Sequence, residues 1–530
     1  MINKDNCKDV KGKSKRTRVN NGRKVSKRKS KSYVRTNEGT SRDNKDDIDV
    51  SNVRDYNDPS WYNASNQLVV DACSIGFATP LGIPLKVHGS EFQVPGICRI
   101  NYVPSIGLSV DNISPINMAA QSIYSYINYA NSRNASYDRT DLMMYLLAMD
   151  SAYSYLSTMK RVYGIARLYS ATNRYMPQTL VSSMNIQFFD IVKNLADFRA
   201  YINTYAWKLG SFFVPASFTY LKRHSWMNYN VFSDSDKLFK SQLYYYYQEA
   251  YYKYNETTAP TGTTLIYTPA PGVGTGSAKF ADLQEFGDKL LAPLLNSQDV
   301  GIMGSDILKA FGESGLIKMD TINEDFAVDV AYSPEVLSQI HNTIAVGNLS
   351  VSQHLADITQ SNGYIAQALK VATSTSNKYI KDVDNYFLNM PMTNPSPDDV
   401  MVSTRNMSWV DKSDQVHSGA DVVTKLYFYN DAASASSRVE VMSSMYTSTT
   451  DAATIAATYR DVLSVVPAFN MHPRVVIGAD ITGSNARAFY PVILGDFDNY
   501  TPLPVIDLQK MHEVALLSMF AVPQYGTFNG

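Results

Sequence analysis

The chain has 530 residues, of which 45% are apolar, and its 48 Lys and Arg residues nearly balance 49 Asp and Glu residues, for a formal net charge of −1. No apolar run reaches the ~18–20 residues that span a bilayer, and none follows the first basic residues, so we expect neither a transmembrane helix nor a secretory signal. Three cysteines in a chain of this length cannot form a disulfide framework, which indicates folding in a reducing compartment.

The near-zero net charge is the sum of two oppositely charged parts. Residues 1–35 contain 14 Lys and Arg but only Asp5 and Asp9, a net of +12, so the rest of the chain holds 34 basic and 47 acidic residues, a net of −13. From residue 11 onward this segment has only four apolar side chains, too few to offset the entropy lost on ordering. We therefore predict a disordered basic arm and linker over residues 1–58.

The chemistry of this arm is suited to nucleic acid. Lys and Arg neutralise phosphates and release counterions, and Tyr33 is the arm's one aromatic residue, so base stacking is limited. We expect binding by charge rather than by sequence, to a duplex as readily as to a single strand. A nuclear localisation signal at residues 26–31 is a functional alternative that is compatible with this role. The predicted RNA-binding residues are Lys11, Lys13, Lys15, Arg16, Arg18, Arg23, Lys24, Lys27, Arg28, Lys29, Lys31 and Arg35.

One peptide bond near the junction of linker and body is a candidate cleavage site. At Asn63-Ala64 the Asn side-chain amide could attack its own carbonyl carbon, given a neighbouring carboxylate, and the small residues Ala64 and Ser65 lower the steric barrier. The simpler interpretation is that these residues only lead into the first ordered turn.

The body begins with short strands and turns over residues 67–109 and then changes to helical periodicity. Ser114-Pro115 is a good start for a helix, because Ser caps and Pro fits the first turn. A second helix is predicted from Asp141, with Gly164 ending or interrupting it. A third is predicted over residues 186–209.

The second half alternates between irregular and regular segments. Residues 257–278 are rich in Thr, Pro and Gly, which indicates a loop or linker, and residues 390–399 form a second irregular stretch. Strands are predicted in VVTKLYFY, RVEVMSSMY and RVVIGADI. Helices are predicted at about 281–295, after Ser333-Pro334, at 350–360 and 363–379, from about Asp451, and at 507–519.

The patterns that would indicate catalysis or metal binding are incomplete. Gly272 to Gly276 resembles half of a dinucleotide-binding or phosphate-binding loop. It follows a Pro-rich linker rather than a strand, and Phe280 follows Lys279, so it does not fit the phosphate-loop pattern. His512-Glu513 begins like a zinc-protease helix, but residue 516 is Leu. The seven histidines are scattered and there is no CxxC, so we predict no enzyme activity, no metal site, no cofactor and no small-molecule substrate. The histidines are His88, His224, His341, His354, His417, His472 and His512.

A basic arm on a Tyr-rich body without a catalytic pattern is the layout of a viral coat protein. Four segments carry a closer resemblance: Pro95–Ile97, Asp141–Val181, Asn194–Asn203 and Val214–Asp234. The second reads DLMMYLLAMDSAYSYLSTMKRVYGIARLYSATNRYMPQTLV and the last VPASFTYLKRHSWMNYNVFSD. Together they resemble the capsid proteins of picobirnaviruses over about 140 residues, and the spacing extends into Tyr244–Tyr252.

The resemblance implies a small icosahedral shell of dimers around a segmented double-stranded RNA genome. It also implies a mainly α fold with short β elements (α+β), comprising a helical shell domain and a smaller projecting domain. By composition we place the shell domain at 59–256, the projecting domain at 257–400 and a C-terminal return to the shell at 401–530. Some of the 37 tyrosines would then lie at interfaces.

The leading hypothesis is a capsid protein that assembles with itself in the host cytoplasm, resides in the virion and packages RNA through its arm. A transient membrane contact during entry would fit a non-enveloped particle. One alternative is an RNA-processing enzyme with a basic anchoring tail, which would need a catalytic cluster. A host chromatin or ribonucleoprotein scaffold is a second alternative, which the four matching segments argue against.

Overall fold

A computed structural model describes most of the chain beyond residue 83. It divides the chain into two compact units, residues 1–75 and 76–530, and describes only residues 65, 67 and 70 of the first. In the second unit it describes residues 84–87, 90–93, 96–167, 175–235, 242–257, 262–274, 276–372, 383–390, 394–429, 438–447, 451–479, 492–494 and 500–521.

These residues form thirteen α-helices and nineteen short strands, which confirms the predicted mainly helical α+β fold class. The helices are α1 (Pro115–Asn131), α2 (Arg139–Arg167), α3 (Tyr175–Ser183), α4 (Phe188–Lys193), α5 (Leu195–Leu209), α6 (Thr219–Tyr229), α7 (Phe280–Asn296), α8 (Gln298–Phe311), α9 (Pro334–His341), α10 (Pro397–Ser403), α11 (Ala452–Thr458), α12 (Arg460–Val465) and α13 (Val505–Met519).

The strands pair mostly into small sheets around one larger sheet. They are β1 (Pro84–Val87), β2 (Ser90–Gln93), β3 (Ile97–Pro104), β4 (Val231–Ser233), β5 (Leu243–Gln248), β6 (Ala250–Asn255), β7 (Thr264–Pro269), β8 (Val330–Tyr332), β9 (Thr359–Ser361), β10 (Tyr364–Ala366), β11 (Asn385–Asn389), β12 (Trp409–Val410), β13 (Val416–His417), β14 (Asp421–Tyr429), β15 (Arg438–Val441), β16 (Ser444–Thr447), β17 (Val475–Ala479), β18 (Val492–Leu494) and β19 (Tyr500–Pro504).

The larger sheet has six strands in the order β15-β14-β3-β5-β4-β8. Strand β3 pairs in parallel with β5 and antiparallel with β14, so segments more than 300 residues apart lie side by side. The three central strands β14, β3 and β5 are buried along their whole length. Such strands need apolar or aromatic side chains on both faces, which is what LYYYYQ and DVVTKLYFY supply.

The sheet separates two hydrophobic cores, and β5 contributes tyrosines to both. Tyr245 and Tyr247 lie in the larger core with α2, whereas Tyr244 and Tyr246 lie in the smaller core with β17. This alternation follows from the period of two along a strand. The clustered tyrosines of β5 are therefore core residues.

Helix α2 is the central helix of the larger core. Its residues from Leu142 to Ser157 are all buried, because α1, α5, α6 and β6 pack around it. The prediction that Gly164 ends or interrupts this helix is wrong, since α2 runs without a break from Arg139 to Arg167. A Cβ at Gly164 would lie 2.5 Å from Cγ2 of Val328 and 2.7 Å from its backbone nitrogen, so this glycine permits close packing rather than a helix end.

Two other helix predictions need correction in detail. The helix predicted over residues 186–209 is two helices, because the chain leaves helical geometry at Asn194, where α4 ends and α5 begins. The helices predicted at 350–360 and 363–379 are wrong in the described residues. A hairpin, β9–β10, stands there, and Asn362 and Gly363 turn it with positive φ angles of 50° and 78°.

The segment predicted as a loop or linker, residues 257–278, contains strand β7, which pairs with β6 over Thr264–Pro269. The Gly-rich stretch that begins at Gly272 therefore does follow a strand, contrary to the prediction. Helices α7 and α8, further along the chain, contribute to the same core as α2. The boundaries of shell and projecting domains stay a prediction.

Candidate functional site

The residues predicted to act on RNA and the predicted cleavage site lie outside the described residues. This applies to all twelve cations from Lys11 to Arg35 and to Asn63 and Ala64. The described part of the chain instead contains a buried group of charged side chains that sequence reasoning did not find.

We call this group the core ionic cluster: Asp150, Arg223, His224 and Asp421. Nδ1 of His224 lies 2.9 Å from both carboxylate oxygens of Asp150, and its Nε2 lies 2.9 Å from Oδ1 of Asp421. Nε of Arg223 donates to Oδ2 of Asp421 at 2.7 Å. The side chains of His224 and both aspartates are at most 2% exposed.

Three elements that are distant in sequence bring the cluster together. Asp150 lies in the middle of α2, Arg223 and His224 are consecutive on α6, and Asp421 begins β14. The sequence signal is Asp150, a single carboxylate within the apolar run LMMYLLAMDSAYSYL. A buried carboxylate in such a run needs a cationic partner, but the sequence does not show which cation supplies it.

The electrostatics of the cluster follow from its burial and its pairing. Burial by itself lowers the pKa of His224, but Asp150 and Asp421 outweigh this effect and raise the pKa to about 9. Burial by itself raises the pKa of Asp421, but Arg223 and then His224 lower it to about 2. Burial raises the pKa of Asp150, which His224 opposes only in part. Asp421 is therefore the stronger acid and lies between two cations.

A histidine held by a carboxylate also occurs in the catalytic triads of hydrolases. A triad histidine keeps one ring nitrogen for a nucleophile. In this cluster carboxylates occupy both ring nitrogens of His224, and the ring is fully buried. The arrangement leaves no nitrogen to act as a base. It holds α2, α6 and β14 together.

Two further titratable side chains, Arg405 and His512, are buried near the core ionic cluster. Burial and the neighbouring charge of Arg223 lower the pKa of Arg405 to about 9. Burial and then the charge of Arg405 lower the pKa of His512 to about 3, so the imidazole is neutral and its Nε2–H donates to the carbonyl of Met407 at 2.7 Å. His512 thus acts as a buried hydrogen-bond donor.

Two further arginines are buried among tyrosine rings. The guanidinium of Arg99 lies 4.4 Å from the ring centre of Tyr427 and 4.6 Å from that of Tyr247, and it donates to the carbonyl of Ser183. Arg161 donates to the carbonyl of Tyr246 at 2.9 Å. Neither pairs with a carboxylate among the described residues, so aromatic faces and carbonyl oxygens stabilise both cations.

The described ranges contain no group of three or more His, Cys, Asp or Glu side chains arranged to hold a metal ion. In the same ranges, no helix combines the length and the apolar character needed to cross a bilayer.

Comparison with known proteins gives three findings. A family model described as picobirnavirus capsid protein matches residues 61–480. A capsid protein precursor from Human picobirnavirus (strain Human/Thailand/Hy005102/-) is 34% identical over 337 residues, covering 61% of this chain and 60% of that protein. The chain thus spans less than two thirds of this relative.

The third finding concerns the fold. The crystal structure of a picobirnavirus capsid superposes on this chain with a TM-score of 0.74 and 24% sequence identity. The match covers 89% of this chain and 99% of the solved chain. The described residues therefore adopt the fold of that capsid protein.

Proposed function

The chain belongs to the picobirnavirus capsid protein family, and we propose that it assembles as dimers into a non-enveloped icosahedral shell that packages double-stranded RNA through its basic arm. The observation that carries this proposal is the family match over residues 61–480, beginning just after the predicted arm and linker. Like its relatives, the chain is a structural protein of the virion and not an enzyme. The alternative of an RNA-processing enzyme is thereby excluded.

The distribution of charge supports the packaging role. The +12 of residues 1–35 opposes the −13 of the body, which discourages RNA from binding elsewhere. Several cations of the body are also sequestered: Arg99, Arg161 and Arg405 are at most 8% exposed. These three arginines cannot reach a phosphate. The arm is the segment in which cations are concentrated without compensating carboxylates.

Expression of the full chain and of a variant without residues 1–40 tests both parts of the proposal. We expect closed particles from both by electron microscopy, and several-fold less co-purified RNA in the shortened variant. Subunits that stay dissociated at high concentration in both cases would contradict the shell function. If particles with and without residues 1–40 had the same ratio of absorbance at 260 and 280 nm, the role of the arm would be contradicted.

Two further parts of the proposal concern the junction and the particle. We propose Asn63-Ala64 as the bond cut if the arm is released, and a projecting domain within residues 257–400. Mass spectrometry of purified particles tests the cleavage: an intact N-terminus in every copy would rule it out. We also propose that the chain is synthesised in the host cytoplasm and that the particle contacts a membrane during entry.

A further inference from the structure

Helix α1 is uncharged although one of its sides faces solvent. Its sequence, PINMAAQSIYSYINYAN, contains no Asp, Glu, Lys or Arg. Ile116, Ile123 and Ile127 face the core, whereas Met118 and Tyr129 point away from it. A helix that is exposed on one side normally carries charged residues there, so this exposed side differs from an ordinary solvated face.

The exposed apolar residues of α1 and of the segment before it make up a surface that we call the α1 face. Met118, Tyr126 and Tyr129 lie at spacings of eight and three residues, on the same side of the helix, and cover roughly 16 Å of its axis at about 1.5 Å per residue. Tyr129 is 86% exposed and Ile113 is 77% exposed. The α1 face consists of Val110, Ile113, Met118, Tyr126 and Tyr129.

One end of the α1 face opens into a groove. The groove has a volume of about 360 Å³ and lies between the start of α1 and helix α13. Val110, Ile113 and Met118 line one side, and Leu517 lines the other. The groove offers a largely apolar concavity at the start of α1, and the exposed ring of Tyr129 lies near the other end of the helix.

The extent and composition of this surface indicate a protein partner. From their exposed fractions, the five residues together present roughly 600 Å² to solvent, which approaches the ~800 Å² that each partner contributes to a standard interface. Interface centres are enriched in Tyr and Met and depleted in charge. The absence of Lys and Arg from α1 makes the face a poor match for RNA phosphates.

The rim of the α1 face carries opposite charges. Nη1 of Arg139 donates to Oε1 of Gln121 on α1, at 2.6 Å. Glu513 lies on α13, on the groove. In the part of the chain that the structure describes, neither residue pairs with an oppositely charged side chain. A rim with one free charge of each sign is complementary to a second copy of itself.

We propose that the α1 face is a contact surface between two copies of this chain. The inference deepens the proposed shell function, on which it rests, by naming residues of a subunit interface. The side chains of Ile113 and Tyr129 become buried in the contact, and Arg139 and Glu513 lie at its edge.

Charge placed on the α1 face tests the proposal. The double variant Ile113→Glu/Tyr129→Glu should stay folded, because both side chains are exposed, and its circular dichroism and melting temperature as a dissociated subunit check this. We expect particle yield to fall by roughly tenfold or more, since an unpaired carboxylate buried in an interface costs more than a tenfold change in affinity. The matched control, Ile113→Leu/Tyr129→Phe, keeps the surface apolar and should assemble like the wild type.

Particle yield equal to that of the wild type in the folded double Glu variant would overturn the proposal. If the wild type forms no particles, the proposed shell function is wrong. The contact surface is then tested separately, by analytical ultracentrifugation of the wild type and the double Glu variant. In that case, a wild-type dimer that the double Glu variant converts to monomer supports it, and an association state common to both overturns it.

Hydroxyl-radical footprinting of the wild type gives an independent readout. Met118 and Tyr129 should be oxidised several-fold more slowly in particles than in dissociated subunits. Equal rates would overturn the proposal. Protection that requires packaged RNA, and disappears in particles lacking residues 1–40, would overturn it in favour of a nucleic-acid contact.

Discussion

Replacement of His224 by Ala tests the core ionic cluster most directly. The substitution removes three short contacts and leaves the carboxylates of Asp150 and Asp421 in the core, with Arg223 pairing only the second. Removing one partner of a buried ion pair costs ~3–5 kcal/mol, because the remaining charge is uncompensated. For a chain of this size the unfolding entropy converts that loss to a fall in Tm of roughly 3–5 °C.

The control is a histidine–aspartate pair at the surface. Nδ1 of His354 lies 2.7 Å from Asp357, but the side chain of His354 is 78% exposed. Exposed pairs often contribute nothing measurable to stability, so His354→Ala should leave Tm unchanged. Differential scanning fluorimetry at one fixed protein concentration makes the comparison, because assembly shifts Tm by mass action. A fall in Tm for His224→Ala no larger than for His354→Ala would refute the reasoning.

The loss of stability in His224→Ala should also depend on pH. The pKa of His224 is raised from an ordinary value near 6.5 to about 9, so the folded state binds the proton more tightly than the unfolded state. The resulting stability is complete below pH 6.5 and is lost as the pH rises through 9. The difference in Tm between the wild type and His224→Ala should therefore shrink between pH 6.5 and 9. A difference that grows over this range would show that His224 is not held as a cation.

Three other outcomes are expected. Asp421→Asn should destabilise the chain above pH 3.8, because the pKa of this buried carboxyl is lowered to about 2. The difference in the free energy of urea unfolding between this variant and the wild type should shrink toward pH 2, and a difference independent of pH would contradict this. Gly164→Ala should lower the free energy of unfolding by ~1–3 kcal/mol through the clash with Val328. The same change at Gly301, where nothing lies within 4 Å, should raise it by up to ~1 kcal/mol. Changes in Tm of the same sign for the two variants would contradict this reasoning. Deleting residues 1–40 should reduce the slope of log affinity for double-stranded RNA against log salt by roughly 8–11 if all twelve predicted cations contact phosphates, and an unchanged slope would place RNA binding elsewhere.

Local patterns predict the elements whose own residues decide their structure. The start of α1 at Ser114-Pro115 and the long apolar repeat of α2 are confirmed, as are α7, α9 and the strand VVTKLYFY. The hairpin β9–β10 also has a local signal, because Asn362-Gly363 is a pair typical of a tight turn between two strands.

Contacts between distant segments decide features that local patterns misjudge. Gly164 is a helix breaker by intrinsic propensity, yet α2 passes through it because Val328 packs against its backbone. The tyrosines of β5 give no sign of burial on both faces until β3 and β14 pair beside them. In both cases the deciding neighbour lies more than 140 residues away in the chain.

The sequence by itself determined the charge asymmetry of this protein, the helical character of its body and, through four short segments, its family. These features depend on composition and short-range spacing, which the chain carries in any conformation. Only the tertiary structure decided which cation neutralises Asp150 and which apolar side chains of α1 stay uncovered. Burial and ion pairing are properties of the packed chain, because they depend on which distant segments exclude water from each other.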